Sequence, residues 1–321
     1  MRRSRPAVVL LGPQRIDPVV RGAVAAPDVG VALAELGVRG KVALVTAGWQ
    51  EREADDEPLV KALGVAADNL RLHERSQDVF TSDPPLGAAY SARQELLRHL
   101  QSFYRIRLDK TDDASRAIQV RHVDAELLAQ EQRVSVDQFR QLDDDHLQRC
   151  RAIHAAFDDR WALAARPAIA RHRAELRALV DGADALVIAG GHVASLLNRL
   201  KLFDVLELAA DKPVIAWSAG AMVLTDRIVL FHDFPPYGSD IAQVLDAGFG
   251  LVPGVVVLPD AARRVRQDDR SGIARFAQRM APATCVAMDP GARLTWSEGA
   301  LTAAHAARLT RDGDLDRSWK R

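Results

Sequence analysis

Val214-Ile215-Ala216-Trp217-Ser218-Ala219-Gly220-Ala221 reads as a buried strand that stops in a tight turn and restarts as a helix. Val214, Ile215 and Ala216 form a short apolar run after Pro213, which suits a central parallel strand. Ser218 stands where that strand ends, and the small residues Ala219, Gly220 and Ala221 let a helix begin close against the sheet. A serine on such a turn keeps its Oγ exposed, and the next backbone N–H can face an oxyanion. The pattern is Ala-x-Ser-x-Gly rather than the full Gly-x-Ser-x-Gly. A serine that merely caps the helix satisfies it too, because Ser is a favoured N-cap.

Upstream, Ala185-Leu186-Val187-Ile188-Ala189 reads as a second buried strand, followed at once by Gly190-Gly191-His192 and a helix over about 195–210. Paired glycines at a strand end let the backbone approach a ligand and aim N–H groups at an anion, or simply close a tight βα turn. Both turns would lie at the carboxyl edge of one sheet, where open α/β folds bind ligands. Residues 7–11 and 41–48 read as further strands. Residues 17–36 and 58–63 read as helices closed by Gly37 and Gly64. Downstream, residues 228–231, 255–258 and 284–288 have strand character, 271–280 is helical, and 292–296 is expected as an edge strand. The polar tail after Gly299 is expected to end in disorder. Strands alternating with helices argue for a parallel α/β sheet.

Between about Leu86 and Leu179 strand signals nearly vanish and charged, glutamine-rich helical patterns replace them. We read residues 86–179 as a helical insertion in an α/β domain built from residues 1–85 and 180–321. Ile153, Phe157 and Trp161 recur every fourth residue and mark one buried helix face. Ser135 with Gln138 resembles a capping box, and Asp143-Asp144-Asp145 reads as a solvated helix start. His146, Cys150 and His154 are four apart. Neighbours in that series could share a metal but all three could not, since eight residues rise about 12 Å. A half-buried helix stripe accounts for them better, and no metal site is assigned. The insertion is expected to pack, to cover the site, or to form a homodimer interface.

Of the 321 residues 48% are hydrophobic, which is ample for a sizeable core. Forty-three Lys and Arg balance 43 Asp and Glu, so net charge argues for neither nucleic acid nor an anionic membrane surface. Two cysteines, Cys150 and Cys285, make no disulfide framework and fit a reducing compartment. The apolar run behind the basic N-terminus is too short for a signal peptide, and no run approaches the roughly 18 residues of a membrane span. The expectation is a cytoplasmic protein without a cofactor.

Gly190-Gly191 after one strand, Trp217-Ser218-Ala219-Gly220-Ala221 after the next, and then Gly248-Phe249-Gly250-Leu251-Val252-Pro253-Gly254 together resemble the peptidase S51 family. That family holds the aspartyl dipeptidases (dipeptidase E) and the cyanophycinases. The resemblance covers residues 180–297 well, residues 5–80 weakly, and the helical block not at all. It implies a class I glutamine amidotransferase-like fold of the flavodoxin-like kind: a three-layer, mostly parallel α/β sandwich, here with a long helical insertion. It implies Ser218 as nucleophile in place of the amidotransferase cysteine, and the Gly191 and Ala219 N–H groups as an oxyanion hole. Gly190, Trp217, Arg264 and Arg266 would line the substrate. Arg264-Val265-Arg266 stands where cyanophycinases carry an Arg-x-Arg, and such guanidiniums suit a substrate carboxylate. A solvated helix face paired with Asp268 and Asp269 would account equally for Arg263, Arg264 and Arg266.

One departure outweighs the matches. Val255-Val256-Val257-Leu258-Pro259 leads without a gap to Asp260, which occupies the place of the family's catalytic histidine. Serine is a poor nucleophile until a base takes its proton, and imidazole suits that task because its pKa lies near 7. A solvated carboxylate is a weak base and repels an oxyanion. Losing a triad base costs on the order of 10⁶ in kcat in a well-studied serine protease. His192 and His232 are candidates for a relocated base. Plain readings are a helix-start residue lining the pocket for His192, and a loop residue held by Asp233 for His232. The expected function is therefore a serine peptidase-like hydrolase acting on small acidic peptides or amides, weakened or inactive. The alternative is a binding or regulatory protein that keeps the pocket without the chemistry.

Overall fold

The computed structural model describes residues 6–16, 28–232 and 241–319. Its strands are β1 (Val8–Leu11), β2 (Val42–Val45), β3 (Ala67–Asn69), β4 (Ala185–Ile188), β5 (Val214–Trp217), β6 (Arg227–Leu230), β7 (Gln243–Ala247), β8 (Val255–Pro259) and β9 (Thr284–Met288). Four more follow: β10 (Arg293–Ser297), β11 (Ala300–His305), β12 (Ala307–Leu309) and β13 (Leu315–Asp316). The helices are α1 (Val29–Glu35), α2 (Glu57–Leu63), α3 (Leu72–Ser82), α4 (Pro84–Gln119), α5 (Ala125–Trp161) and α6 (Pro167–Asp181). After them come α7 (Val193–Phe203), α8 (Val205–Leu208), α9 (Ala219–Val223), α10 (Ala261–Arg264) and α11 (Arg270–Met280). No helix among the described residues is long and apolar enough to cross a membrane.

The central sheet has the order β11-β10-β1-β5-β4-β2-β3. β1, β5, β4, β2 and β3 run parallel, and β10 and β11 extend it antiparallel. Every residue of β1, β2, β4 and β5 is buried. Side chains alternate between faces along a strand, so a strand covered on both sides must be apolar throughout. Leu10, Val45, Leu186, Ile188 and Ala216 pack in one layer with Leu196 and Leu200 of α7. Leu11, Leu44, Val187, Ile215 and Trp217 pack in the other with Leu33 of α1 and Leu59 and Leu63 of α2. The molecule is thus a mixed α/β sandwich with a mostly parallel central sheet. Gly64 closes α2 in the left-handed conformation at φ 70°, as its position predicts.

Several expectations are corrected. Of the helix expected over 17–36, residues 17–27 lie outside the described residues and the remainder forms α1. β8, which carries the chain to Asp260, belongs to a second sheet of order β13-β12-β9-β8, separate from that of β5. The strand expected at an edge, β10, lies between β1 and β11, and the tail supplies β11, β12 and β13, while residues 320–321 lie outside the described residues. The helix expected over 195–210 is broken at Asp204, whose φ of 53° ends α7 and begins α8.

Consecutive helices begin with α3 at Leu72, directly after the short strand β3, and α3 packs on both α4 and α7. α4 and α5, of 36 and 37 residues, form a helical hairpin, and α5 packs on β7 and α11. Ser135 is inside α5, bonding the Glu131 carbonyl at 3.0 Å, and the cap is Asp124, whose side chain accepts from the Glu126 and Leu127 N–H groups. Asp143 is also mid-helix and fully buried. It accepts two 2.7 Å hydrogen bonds from Arg279, and Tyr104 donates to it at 2.7 Å. His146, Cys150, His154 and Phe157 lie on the same buried face, with Ile153 and Trp161 at its margin. His146 stacks on Tyr104, and His154 Nε2 lies 2.7 Å from Asp246 of β7. Burial pushes both thiols, Cys150 and Cys285, up to about 12, so neither is a nucleophile at neutral pH.

Candidate active site

β5 delivers Ser218 at the carboxyl edge of the sheet with φ 50° and ψ −123°. A residue with a Cβ holds such a conformation at a cost of about 1–3 kcal/mol, and only where its surroundings over-determine it. The surroundings here are backbone. A Cβ on Gly220 would lie 2.5 Å from the Ile188 carbonyl oxygen, and a Cβ on Gly190 would lie 2.8 Å from Ser218 Cβ. The Met222 N–H donates to the Ser218 carbonyl at 3.0 Å, which starts α9 in the next residue. The side chain of Ser218 makes no cap, so the capping alternative is set aside.

The Gly190-Gly191 turn lies against Ser218 on one side and against the turn after β2 on the other. A Cβ on Gly48 would lie 2.4 Å from the Gly190 carbonyl oxygen, and Gly191 adopts φ 112° with Gly48 backbone 2.5 Å from where its Cβ would be. Only residues without side chains fit this junction. Neither the Gly191 N–H nor the Ala219 N–H donates to an acceptor among the described residues. The Ser218 Oγ likewise has no hydrogen-bond partner among them.

His192 caps α7. Its N–H donates to the Gly48 carbonyl at 2.7 Å, and its Nδ1 lies 3.2 Å from the Ser195 N–H and 2.9 Å from Ser195 Oγ. An amide N–H can only donate, so Nδ1 must present its lone pair, and the neutral ring carries its proton on Nε2. A ring in that state has its basic nitrogen turned to Ser195 and its Nε2–H left for a ligand. His232 is half-buried at the end of β6; Asp233, the partner expected for it, lies outside the described residues.

Asp260 ends β8 in the left-handed conformation, φ 57° and ψ 41°, with its N–H donating to the Met288 carbonyl at 3.0 Å. Its carboxylate lies 3.7 Å from Arg15 Nη2 and 3.9 Å from Arg263 Nη1. The Arg263 guanidinium is thus turned to Asp260 rather than to Asp268 or Asp269, and Asp269 instead caps α11 through the Gly272 N–H. Arg264 stands over the Phe231 ring at 5.9 Å. Arg266 borders a cavity of about 570 Å³ between the hairpin, α11 and the loop after α10; Ser218, the Gly190-Gly191 turn and Asp260 are not among its walls. Trp217 is corrected as a substrate contact. It is 0% exposed in the apolar layer with Leu11 and Leu33, because a strand residue next to an elbow serine points to the opposite face.

Gln50, which carries no motif in the sequence, stands out in the structure. It follows the turn after β2 with φ 57° and ψ −123°, nearly the conformation of Ser218. Its Nε2 donates to Ser195 Oγ at 2.8 Å, the oxygen that also meets His192 Nδ1. The small-residue turn Thr46-Ala47-Gly48 at a strand end was the one available signal.

No family model matches this chain, and no curated protein matches it. Among solved structures, a peptidase from an acI-B1 actinobacterium is similar with a TM-score of 0.44 and 12% identity, over 96% of this chain and 91% of that one. A candidate peptidase E protein from Listeria monocytogenes EGD-e is similar with a TM-score of 0.42 and 12% identity, over 95% of this chain and 100% of that one.

Proposed function

We propose that the chain is a serine hydrolase-like protein of the peptidase S51 type, shaped to hold a small acidic peptide or amide and weakened as a catalyst by Asp260. The observation that carries this reading is the elbow itself. Ser218 holds a strained conformation while the N–H groups of Gly191 and Ala219 on either side remain unbonded among the described residues. A carbonyl carbon brought to Ser218 Oγ would present its oxygen to those two N–H groups. Donors fixed in place there stabilise the negative charge that develops on attack. Two candidate proton acceptors are held by other groups, Asp260 by Arg15 and Arg263 and His192 by Ser195.

Those same engagements favour a second reading, a binding protein that retains the pocket without turnover. A fluorophosphonate probe followed by mass spectrometry separates the two, together with assays on aspartyl dipeptides. Hydrolase character predicts slow, Ser218-specific labelling and measurable turnover, both lost in Ser218→Ala. A protein that binds aspartyl dipeptides and neither labels nor turns over is the binding protein.

A further inference from the structure

We propose that Gln50, Ser195 and His192 form a recognition corner for the ligand's amide group beside Ser218, with Gln50 as its specificity-determining residue. This rests on the reading of Ser218 as the site's centre. One hydroxyl, Ser195 Oγ, ties the corner together: it accepts from Gln50 Nε2 at 2.8 Å and meets His192 Nδ1 at 2.9 Å. The Ser195 hydroxyl hydrogen is therefore directed to Nδ1, and the Ser195 amide points there as well, at 3.2 Å. The imidazole is fixed as an Nε2–H donor. The Gln50 carboxamide is fixed through its nitrogen, which leaves Oε1 as an acceptor with no partner among the described residues. His192 is exposed and Gln50 half-buried, so a ligand can reach both. A donor and an acceptor tied to one hydroxyl suit the carbonyl and N–H of a peptide or carboxamide.

The backbone supplies the second argument. β2, β4 and β5 are adjacent in the sheet, and the turns after β2 and β5 flank the glycine turn after β4. Both outer turns hold a residue with a Cβ in the same unfavourable conformation, Ser218 at φ 50° and Gln50 at φ 57°. Glycine would adopt that conformation without strain. Retaining glutamine there gives up stability for a side chain, and that side chain reaches into the site's own helix α7 rather than into a core.

The test compares Gln50→Gly with the unmodified chain, both carrying Ser218→Ala so that ligand is not consumed. The probes are the dipeptide Asp-Leu and its analogue methylated on the peptide nitrogen. A purely structural Gln50 predicts that glycine raises Tm and leaves affinity unchanged. The recognition corner predicts a Tm equal or higher together with Asp-Leu affinity reduced about fivefold to tenfold, the scale of one lost hydrogen bond. It also predicts that the N-methyl analogue binds both proteins alike. Nitrogen-15 spectra of the imidazole should show the His192 Nε2–H tautomer, and Ser195→Ala should weaken that preference. Unchanged affinity in Gln50→Gly, no detectable Asp-Leu binding, or an Nδ1–H tautomer overturns the proposal. Hydrolysis lost with binding and its Gln50 dependence intact would sink the hydrolase reading alone. Hydrolysis by the unmodified protein that is indifferent to Gln50→Gly would sink the corner alone.

Discussion

Asp260 sits in a left-handed conformation that Asp, Asn and His adopt more readily than other side chains. Asp260→His can therefore keep the backbone while supplying an imidazole. We expect it to raise aspartyl-dipeptide hydrolysis about 10²-fold or more, the usual worth of a placed general base, with Ser218→Ala abolishing the gain in the same assay. No gain in a folded Asp260→His protein would locate the defect elsewhere in the pocket. Gly190→Ala tests the elbow from the other side. Its Cβ would meet Ser218 Cβ at 2.8 Å, so we expect a stability loss of about 1–3 kcal/mol by thermal denaturation and loss of fluorophosphonate labelling. The turn at Ser218 was legible in sequence because an apolar strand followed by small residues leaves few backbone paths. The contact of Gln50 with Ser195 was not, because it joins residues far apart in the chain.

At the level of elements, the helical hairpin is fastened by buried polar groups as well as apolar ones. Removing Asp143 would strand Arg279, which is 6% exposed, without its counter-charge. Asp143→Ala should cost about 3–5 kcal/mol in denaturant unfolding, and Asp143→Leu combined with Arg279→Met should cost markedly less. The His154–Asp246 pair gives a pH signature. Burial pushes the Asp246 carboxyl up, but the hydrogen bond with His154 and the charge of Lys201 outweigh it and hold it below the ordinary range. A depressed carboxyl stabilises the fold above its unfolded pKa of about 4 and loses that contribution as pH falls. His154→Gln should therefore move the midpoint of acid unfolding to higher pH, read by circular dichroism. Helical periodicity made the hairpin legible, but it could not tell Asp143 from its solvated neighbours. The distinction lies in Arg279, on a helix that the sequence pattern does not connect to it.

For the whole molecule, the mostly parallel sheet was readable from alternation, and its division was not. β8 and β9 read as apolar strands like β4 and β5, and nothing in their composition says which sheet they join. The outcome places Asp260 and Ser218 on the strand ends of different sheets. Their relative position is set by contacts of α9 with β6 and β8 rather than by one shared ladder.

The hairpin also bears on the order in which the fold is acquired. β2 must pair Val42 with Ala185, and β1 must pair Val8 with Val214, so the strands leading to Ser218 close long loops. Closing a long open loop costs entropy that grows with its length, whereas a helical hairpin forms from contacts near in sequence within microseconds. α3 starts just after β3 and α6 ends just before β4, so an early hairpin brings β3 and β4, the two strands that flank β2, near one another before β4 pairs with β2. Pulsed hydrogen exchange during refolding should find α4 and α5 amides protected ahead of those in β4 and β5. Simultaneous protection would rule this order out. In that sequence of events the elbow is a late acquisition, and a chain caught partway would hold a finished hairpin and no nucleophile.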